Sequence, residues 1–479
     1  PSDPFHSQRG LSRLAFAFFR IHIYKLDPSH VPLPIPHISL LLKMRITPPS
    51  ASPQPAGPSS HSVPNDRLDI DSRFVSGIAL AVRGGVANTV RISQATNEDI
   101  MRDQQDAALH GYTIYPDTIT IKTRVYSATK EMARFVSITA GMQEIDGKFV
   151  VVIDTPKSVQ SWLALPAAAI LSSAGASSSF QIDVAIVLPP SLSSLISLEI
   201  EAHAGSVEIG DIGNVNIVDQ MKIECRNGGV SSKSCTAANI HITTLTGSIR
   251  GRFTASSNFL CKTLSAAIDV QLAVSPCPDA VHVESTSGAI RGAFYASREF
   301  AAKTFSGTID IVVKGAPAAI TLSNVSGTTM GTFQVKERFE AASVSGNIKV
   351  NIETVTKQAC ECNIKTISGC AVMCLLSLFT GQFKLTSFSS HATLLSRHHP
   401  SKRYPFVLEV QHPNRKLGFA GHVPTLSPPP PVHPMVDLDH WEGDMDHPIL
   451  QAGQGEDTAQ SKVVMEAVSG DVQLVLLGA

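Results

Sequence analysis

Leu245-Thr-Gly-Ser-Ile-Arg-Gly-Arg-Phe253, Thr286-Ser-Gly-Ala-Ile-Arg-Gly-Ala-Phe294 and Val325-Ser-Gly-Thr-Thr-Met-Gly-Thr-Phe333 are three copies of one pattern. Each has a phenylalanine 12 residues beyond its first glycine, at Phe259, Phe300 and Phe339. Each then has a second small-residue corner 19 residues on, at Ser265-Ala266, Ser306-Gly307 and Ser345-Gly346. Two internal spacings shared by three copies mark a structural repeat.

The unit divides again. Corners fall at Gly205, Gly228, Gly247, Ala266, Gly288, Gly307, Gly327, Gly346, Gly369 and Ser390, a period of about 20 residues. Phe383 precedes Ser390 by seven residues, as Phe339 precedes Gly346, so the last copy stays in phase. After each corner the apolar residues alternate: Ile249, Gly251 and Phe253 oppose Ser248, Arg250 and Arg252; Ile268, Val270 and Leu272 oppose Asp269 and Gln271; Ile309, Ile311 and Val313 oppose Asp310. Period two with one apolar face is a strand signature. Glycine at the corner suits a tight bend. The predicted fold class is all-β: a single-stranded β-solenoid, or β-helix, of about ten coils, each stacked on the one before. A propeller blade has twice this period and does not split into like halves, and the leucine ladder of leucine-rich repeats is absent.

If coils stack at this period, Arg250, Asp269, Arg291 and Asp310 form an outward column of alternating charge. Opposite charges across adjacent strands each contribute about 0.2–1 kcal/mol, so the column reads first as a register-fixing ladder.

The flanks read differently. Twelve of the 30 prolines lie in residues 1–64, and 1–65 is expected to be a disordered Pro/Ser-rich extension. Its first methionine is Met44, so 1–43 is read as a fragment end or as translated non-coding sequence; Leu14–Phe19 makes a poor secretory signal. Residues 66–200 are expected to form a β-rich entry segment, with a helix started by Thr96-Asn-Glu-Asp99 across Asp99–Leu109. The repeats are assigned to 201–421, with weak strands at Val407–Val410 and Gly418–Gly421 closing them. Residues 422–461 read as a Pro-rich and acidic linker or insertion. Residues 462–479, with the corner Ser469-Gly470, read as the final coil strand.

Thirty-nine basic residues balance 40 acidic ones for a net charge of −1, which argues against a general grip on nucleic acid or anionic membranes. No apolar run reaches the roughly 18–20 residues of a membrane-spanning helix. The eight cysteines are too sparse for a disulfide scaffold and read mostly as small buried apolar residues. Cys360, Cys362, Cys370 and Cys374 are the tightest group, but they lack the paired spacing of a zinc knuckle. The acidic run Asp437, Asp439, Glu442, Asp444 and Asp446 does not match a calcium loop, because Trp441 and Glu442 stand where an oxygen ligand and glycine belong. His398, His399, His412, His433 and His447 lie in Pro-rich surroundings and suggest no designed site. Asn324-Val-Ser326 is a glycosylation sequon. No nucleophile elbow, phosphate loop or dinucleotide fingerprint is present. No catalytic, cofactor-binding or metal-binding residue is therefore assigned, and no cofactor is expected.

The Ser-Gly-x-Ile corner, the phenylalanine before the next corner and the closing Ser469-Gly-Asp-Val-Gln-Leu474 resemble the adhesin-like β-solenoid family, over roughly residues 180–395 and 463–477. Its members are bacterial with relatives in fungi, and the chain is read as a fungal-type member. The resemblance implies a right-handed stack of short strands without known catalytic residues. The chain departs from the pattern at Gly369–Phe379, where Cys370-Ala-Val-Met-Cys-Leu-Leu376 replaces the polar alternation.

Two functions compete. A non-enzymatic structural or surface-interaction module, with a protein or carbohydrate ligand, predicts outward ladders of small polar and paired charged residues. A carbohydrate-active β-helix enzyme, a polysaccharide lyase or hydrolase, predicts a groove where carboxylates and Arg or Lys converge from three adjacent coils. End-to-end self-association through exposed strand edges is a further expectation. The sequence assigns no compartment.

Overall fold

The computed structural model describes residues 61–62, 66–109, 115, 117–127, 136–143, 146–155, 180–355, 359–377, 379–397, 406–420 and 460–477. These residues are all-β apart from one α-helix, Asn97–Leu109, and a short 3₁₀ turn, Ser72–Phe74. Every described strand joins one hydrogen-bonded sheet, most of it parallel. The extension 1–60 and most of the linker 422–461, including its acidic run and prolines, lie outside the described residues, as do His398, His399, His433 and His447.

The parallel pairings form two columns. In the first, the strand following each corner pairs with the strand following the next: Ile249 with Ile268, Ile268 with Ile290, and Ile290 with Ile309, in direct register. The column continues through Thr329–Val335, Ile348–Thr354 and Ala371–Leu375. The second column takes the phenylalanine strands, Glu299–Thr304, Ala319–Asn324, Arg338–Ser343 and Glu361–Thr366 among them. Each 20-residue period thus supplies two strands, one per column, where the sequence reading expected a single-stranded coil. The second strand was obscured because Phe300-Ala-Ala302 and Phe339-Glu-Ala-Ala342 carry alanines, which blunt the alternation. Ala371–Leu375, the departure from the repeat pattern, is an ordinary rung with Ala371, Met373 and Leu375 inward.

Between the columns runs one continuous core, from Ile70 to Leu476. Its rungs alternate in content. Phe253 packs on Phe259, Phe294 on Phe300 and Phe333 on Phe339, at ring-centroid distances of 5.7, 5.3 and 5.2 Å. The rungs between these carry aliphatic residues, such as Val313 and Ile320. The phenylalanine rungs are also those with Gly251, Gly292 and Gly331, all at positive φ. A Cβ on Gly331 would meet the Phe333 ring at 2.9 Å, so the missing side chain makes room for the aromatic pair.

A buried polar spine closes the corners. From the Gly247 corner to the Ser390 corner the residue three before is Thr, Ser or Asn, whereas Ala202, Cys225 and Ala467 stand before Gly205, Gly228 and Gly470. Along the middle rungs its side chain accepts the corner N–H: Ser285 from Gly288 (2.9 Å), Thr304 from Gly307 (3.0 Å), Asn324 from Gly327 (2.9 Å), Ser343 from Gly346 (2.9 Å) and Thr366 from Gly369 (3.1 Å). Several also donate to the corner carbonyl of the rung below, as Asn324 Nδ2 does to Gly307 (3.2 Å). Backbone groups that the turn would leave unpaired are thereby satisfied within the core. Ala266 is the exception that shows the tightness: its N–H reaches Thr263 only at 3.4 Å.

Both ends depart from chain order. Gly77–Arg83 and Ala87–Gln94 lie between an outer rung, Lys148–Asp154 with Gln181–Leu188, and an inner one that includes Ser194–Ala202. Likewise Ser461–Ala467 and Val472–Leu477 lie between Glu361–Leu375 and Gly381–Arg397. The expected last strand is therefore one level in from the end. Antiparallel strands cover the outer edges: Thr118–Ser127 on Gln181–Leu188, Ser137–Met142 on Lys148–Asp154, and the hairpin Phe406–His412 and Arg415–Ala420 on Gly381–Ser387. The helix begins two residues earlier than expected. Its capping box is real, with the Asp99 N–H donating to Thr96 Oγ1 and the Thr96 N–H to Asp99 Oδ2, both at 3.1 Å.

Candidate functional site: a basic groove across three rungs

Outward positions of the first column follow the strand register. Arg91, at one end, donates to Glu208 at 3.0 Å and lies 3.5 Å from Asp183. Those bonds hold its guanidinium pKa above the ordinary value, the Glu208 bond first. Arg250, Asp269, Arg291 and Asp310 are direct neighbours as predicted. Among the described residues, however, no ion pair within 4.0 Å joins any of them, which corrects the expectation of a paired ladder. All four are exposed, and an exposed pair gains too little in high dielectric to hold two side chains in one geometry.

The paired ladders lie instead on the second column. Glu284 lies 3.4 Å from Lys262 and 3.8 Å from Lys303, and Glu466 lies 3.6 Å from Lys365 and 3.5 Å from Lys384. The second ladder was invisible in sequence because Glu466 enters from the chain's far end.

Over the unpaired part of the first column the surface opens into a groove of about 440 Å³, lined by Ser232, Lys233, Arg250, Gly251, Arg252, Asp269 and Gln271. Its floor is fixed by backbone: Gly251 has φ of 132°, and a Cβ there would meet the Ser232 carbonyl at 2.1 Å. Ser232 Oγ, nearly buried, donates to the Arg252 carbonyl at 3.2 Å. Three cations and one carboxylate face solvent above this floor, contributed by three successive rungs. The pieces were legible in sequence as outward Arg250, Asp269 and Arg252. Lys233 was missed although it continues the outward alternation of Ser231 past buried Ser232, because it stands two residues beyond the charge column counted from the corners.

A second concavity, about 410 Å³, lies beside the hairpin at the far end, with Leu394, Leu408, Gln411 and Lys416 in its wall. It adjoins Ala392–Arg397, which pairs on one side with Val472–Leu477, while the Ala392 N–H reaches the Pro413 carbonyl at 2.8 Å on the other.

Of the four clustered cysteines, the structure brings Cys360 and Cys362 together, Sγ to Sγ 3.8 Å, both buried. Cys362 stacks on Phe339 and so takes a phenylalanine position in the core. Its hydrogen bond lowers the Cys360 thiol pKa, while the same bond and burial raise its own. Cys370 is exposed and Cys374 half-buried on the outward side. Among the described residues no group of three or more His, Cys, Asp or Glu is close enough to hold a metal ion. Burial pushes Cys225 and Cys235 up to about 12, and Cys261 higher still. Asn324 of the sequon is 1% exposed with both amide atoms bonded in the corner, so the folded chain cannot present it for glycosylation.

No protein-family model matches the chain, and no curated protein matches it. Two crystal structures are similar to it in part. One is described as a "putative adhesin" from Bacteroides fragilis: 16% identity, covering 56% of this chain and 94% of that one, with a TM-score of 0.31. The other is described as a "putative cell adhesion protein" from Clostridium sporogenes: 8% identity, covering 86% of this chain and 98% of that one, with a TM-score of 0.17.

Proposed function

We propose that the protein is an adhesin-like β-solenoid, wound from stacked two-strand turns, which acts without catalysis as a surface-interaction module. The observation that carries this reading is the composition of the basic groove. Lys233, Arg250 and Arg252 converge there with a single carboxylate, Asp269. Glycoside cleavage by acid and base needs two carboxylates flanking one bond, about 5–9.5 Å apart. The next outward acid on this column, Asp310, is two rungs from Asp269 and does not line the groove. Arg291 stands between them, and both acids point out from the same face rather than across a cleft. Three cations around one carboxylate suit holding an anionic ligand, which supports the non-catalytic reading.

Assembly of copies end to end is the less favoured mode of interaction. Antiparallel strands lie on three of the four described column ends, so the edges left open there belong to short antiparallel strands and not to the parallel rungs that a second copy would extend. Light scattering behind size exclusion tests this, with a monomer expected at high concentration.

The test of the module reading is incubation of the full chain with a panel of neutral and acidic polysaccharides, read for new reducing ends and for unsaturated uronates. No turnover is expected. Turnover that disappears in Asp269→Asn would establish the enzyme instead. Localising the tagged full chain in its native cell gives a second readout, because a diffuse cytosolic signal is incompatible with adhesion.

A further inference from the structure

We propose that the groove formed by Lys233, Arg250 and Arg252, with Asp269 and Gln271 beside them, binds the anionic groups of an acidic polysaccharide. This inference rests on the reading of the protein as a binding module and names the class of its ligand.

The first support is the availability of the charges. Several outward cations elsewhere are committed: Arg91 to Glu208 and Asp183, Lys262 and Lys303 to Glu284, Lys365 and Lys384 to Glu466. Others, such as Arg291, Lys314 and Lys349, are exposed but do not line the groove, so what sets it apart is that three cations converge in it. Among the described residues no carboxylate lies within ion-pair distance of Lys233, Arg250 or Arg252, although Asp269 is the in-register neighbour of Arg250. Three uncommitted cations in one concavity leave a positive field that an anion lowers in energy.

The second support is spacing. Arg250 and Arg252 project from the same face of one strand, about 6.6 Å apart along it, and neighbouring rungs lie about 4.8 Å away. The cationic heads therefore form a short two-dimensional array rather than one enclosed cage, which suits charges repeated along a chain. Guanidinium groups offer paired N–H donors that match carboxylate and sulfate oxygens. Asp269 and Gln271 add an acceptor and an amide among the cations, where a saccharide has hydroxyls between its anionic groups.

Nucleic acid fits less well. A phosphate-tracking surface commonly neutralises about 6–10 phosphates, and single strands are gripped by aromatic stacking. The groove offers three cations and no aromatic side chain.

The experiment is affinity electrophoresis and calorimetry on the full chain, with polygalacturonate as the carboxylate probe, dextran sulfate as the sulfate probe, neutral dextran and a single-stranded oligonucleotide. At least one acidic polymer is expected to bind, with affinity falling as salt is raised. The double variant Arg250→Gln, Arg252→Gln should lose about tenfold or more in affinity, while Lys262→Gln on the opposite column binds as the parent does. These residues are exposed, so an unchanged unfolding midpoint shows that the variants are folded. Which probe binds separates carboxylate from sulfate recognition. Binding of neutral dextran or the oligonucleotide alone, or unchanged affinity in the double variant, overturns the ligand class and leaves the module reading standing. Turnover of a bound polymer overturns the module reading itself.

Discussion

Asn324 shows how much of this molecule is decided by one polar atom in the right place. It occupies the spine position that Ser285, Thr304, Ser343 and Thr366 hold on other rungs, accepting one corner N–H and donating to the carbonyl below. Asn324→Ala leaves the Gly327 N–H and the Gly307 carbonyl buried without partners. It should destabilise by roughly 1–3 kcal/mol, read as a lower urea midpoint. Asn324→Ser should recover most of the loss, since serine does the same work two rungs below and one rung above. Equal midpoints for the alanine and serine variants would show that the spine contributes nothing. Corner glycine follows from the same contact: a Cβ on Gly307 would lie 1.9 Å from the Gly288 carbonyl.

At the scale of single strands, the Lys262–Glu284–Lys303 stack shows what outward charge does here. The three side chains are 42–58% exposed, so each pairing contributes at the low end of the 0.2–1 kcal/mol range for cross-strand ion pairs. Glu284→Gln should therefore lower stability slightly. Glu284→Lys stacks three like charges on adjacent rungs and should cost more. The gap between the two variants should shrink at 1 M salt, where the screening length is about 3 Å. A gap that persists in salt would point to packing and not charge.

Across the whole molecule, the terminal rungs are set one level inside the ends. Deleting residues 461–479 removes the common neighbour of Glu361–Thr366 and Gly381–Ser387. Hydrogen exchange should then lose protection at 381–397 and 406–420 and retain it at 249–343, because each rung depends mainly on its neighbours. Retained protection at 381–420 would mean that this cap folds without the inserted strands. Asp471 gives the insertion an expected pH dependence. It accepts from the Ser390 hydroxyl and from the His391 N–H, which hold its carboxyl below the usual range. A lowered carboxylate pKa in the folded state gives stabilisation that is present above the ordinary value of about 3.9 and lost as pH falls through the lowered one. Protection factors at 390–397, taken relative to the intrinsic exchange rate at each pH, should fall on acidification below pH 4 in the parent. Asp471→Asn should flatten that dependence.

Repetition alone determined the stacking. Identical spacings force equivalent residues to equivalent heights, so the alignment of Ile249, Ile268, Ile290 and Ile309 was contained in the sequence. So was the neighbour relation of Arg250 with Asp269, and so was the capping box at Thr96. The spine was also written there, as a polar residue three before each corner from Gly247 to Ser390, but its role shows only when the corners are seen to be buried. Tertiary structure decided what repetition does not encode. The two-column cross-section depends on how alanine-rich strands pack, which local alternation does not report. The interleaving of the chain ends depends on which edges remain open once the central rungs have formed. The groove depends on the close backbone approach at Gly251 and on charges that adjoin without pairing, because in water the energy that would close such a pair is smaller than the freedom both side chains would lose.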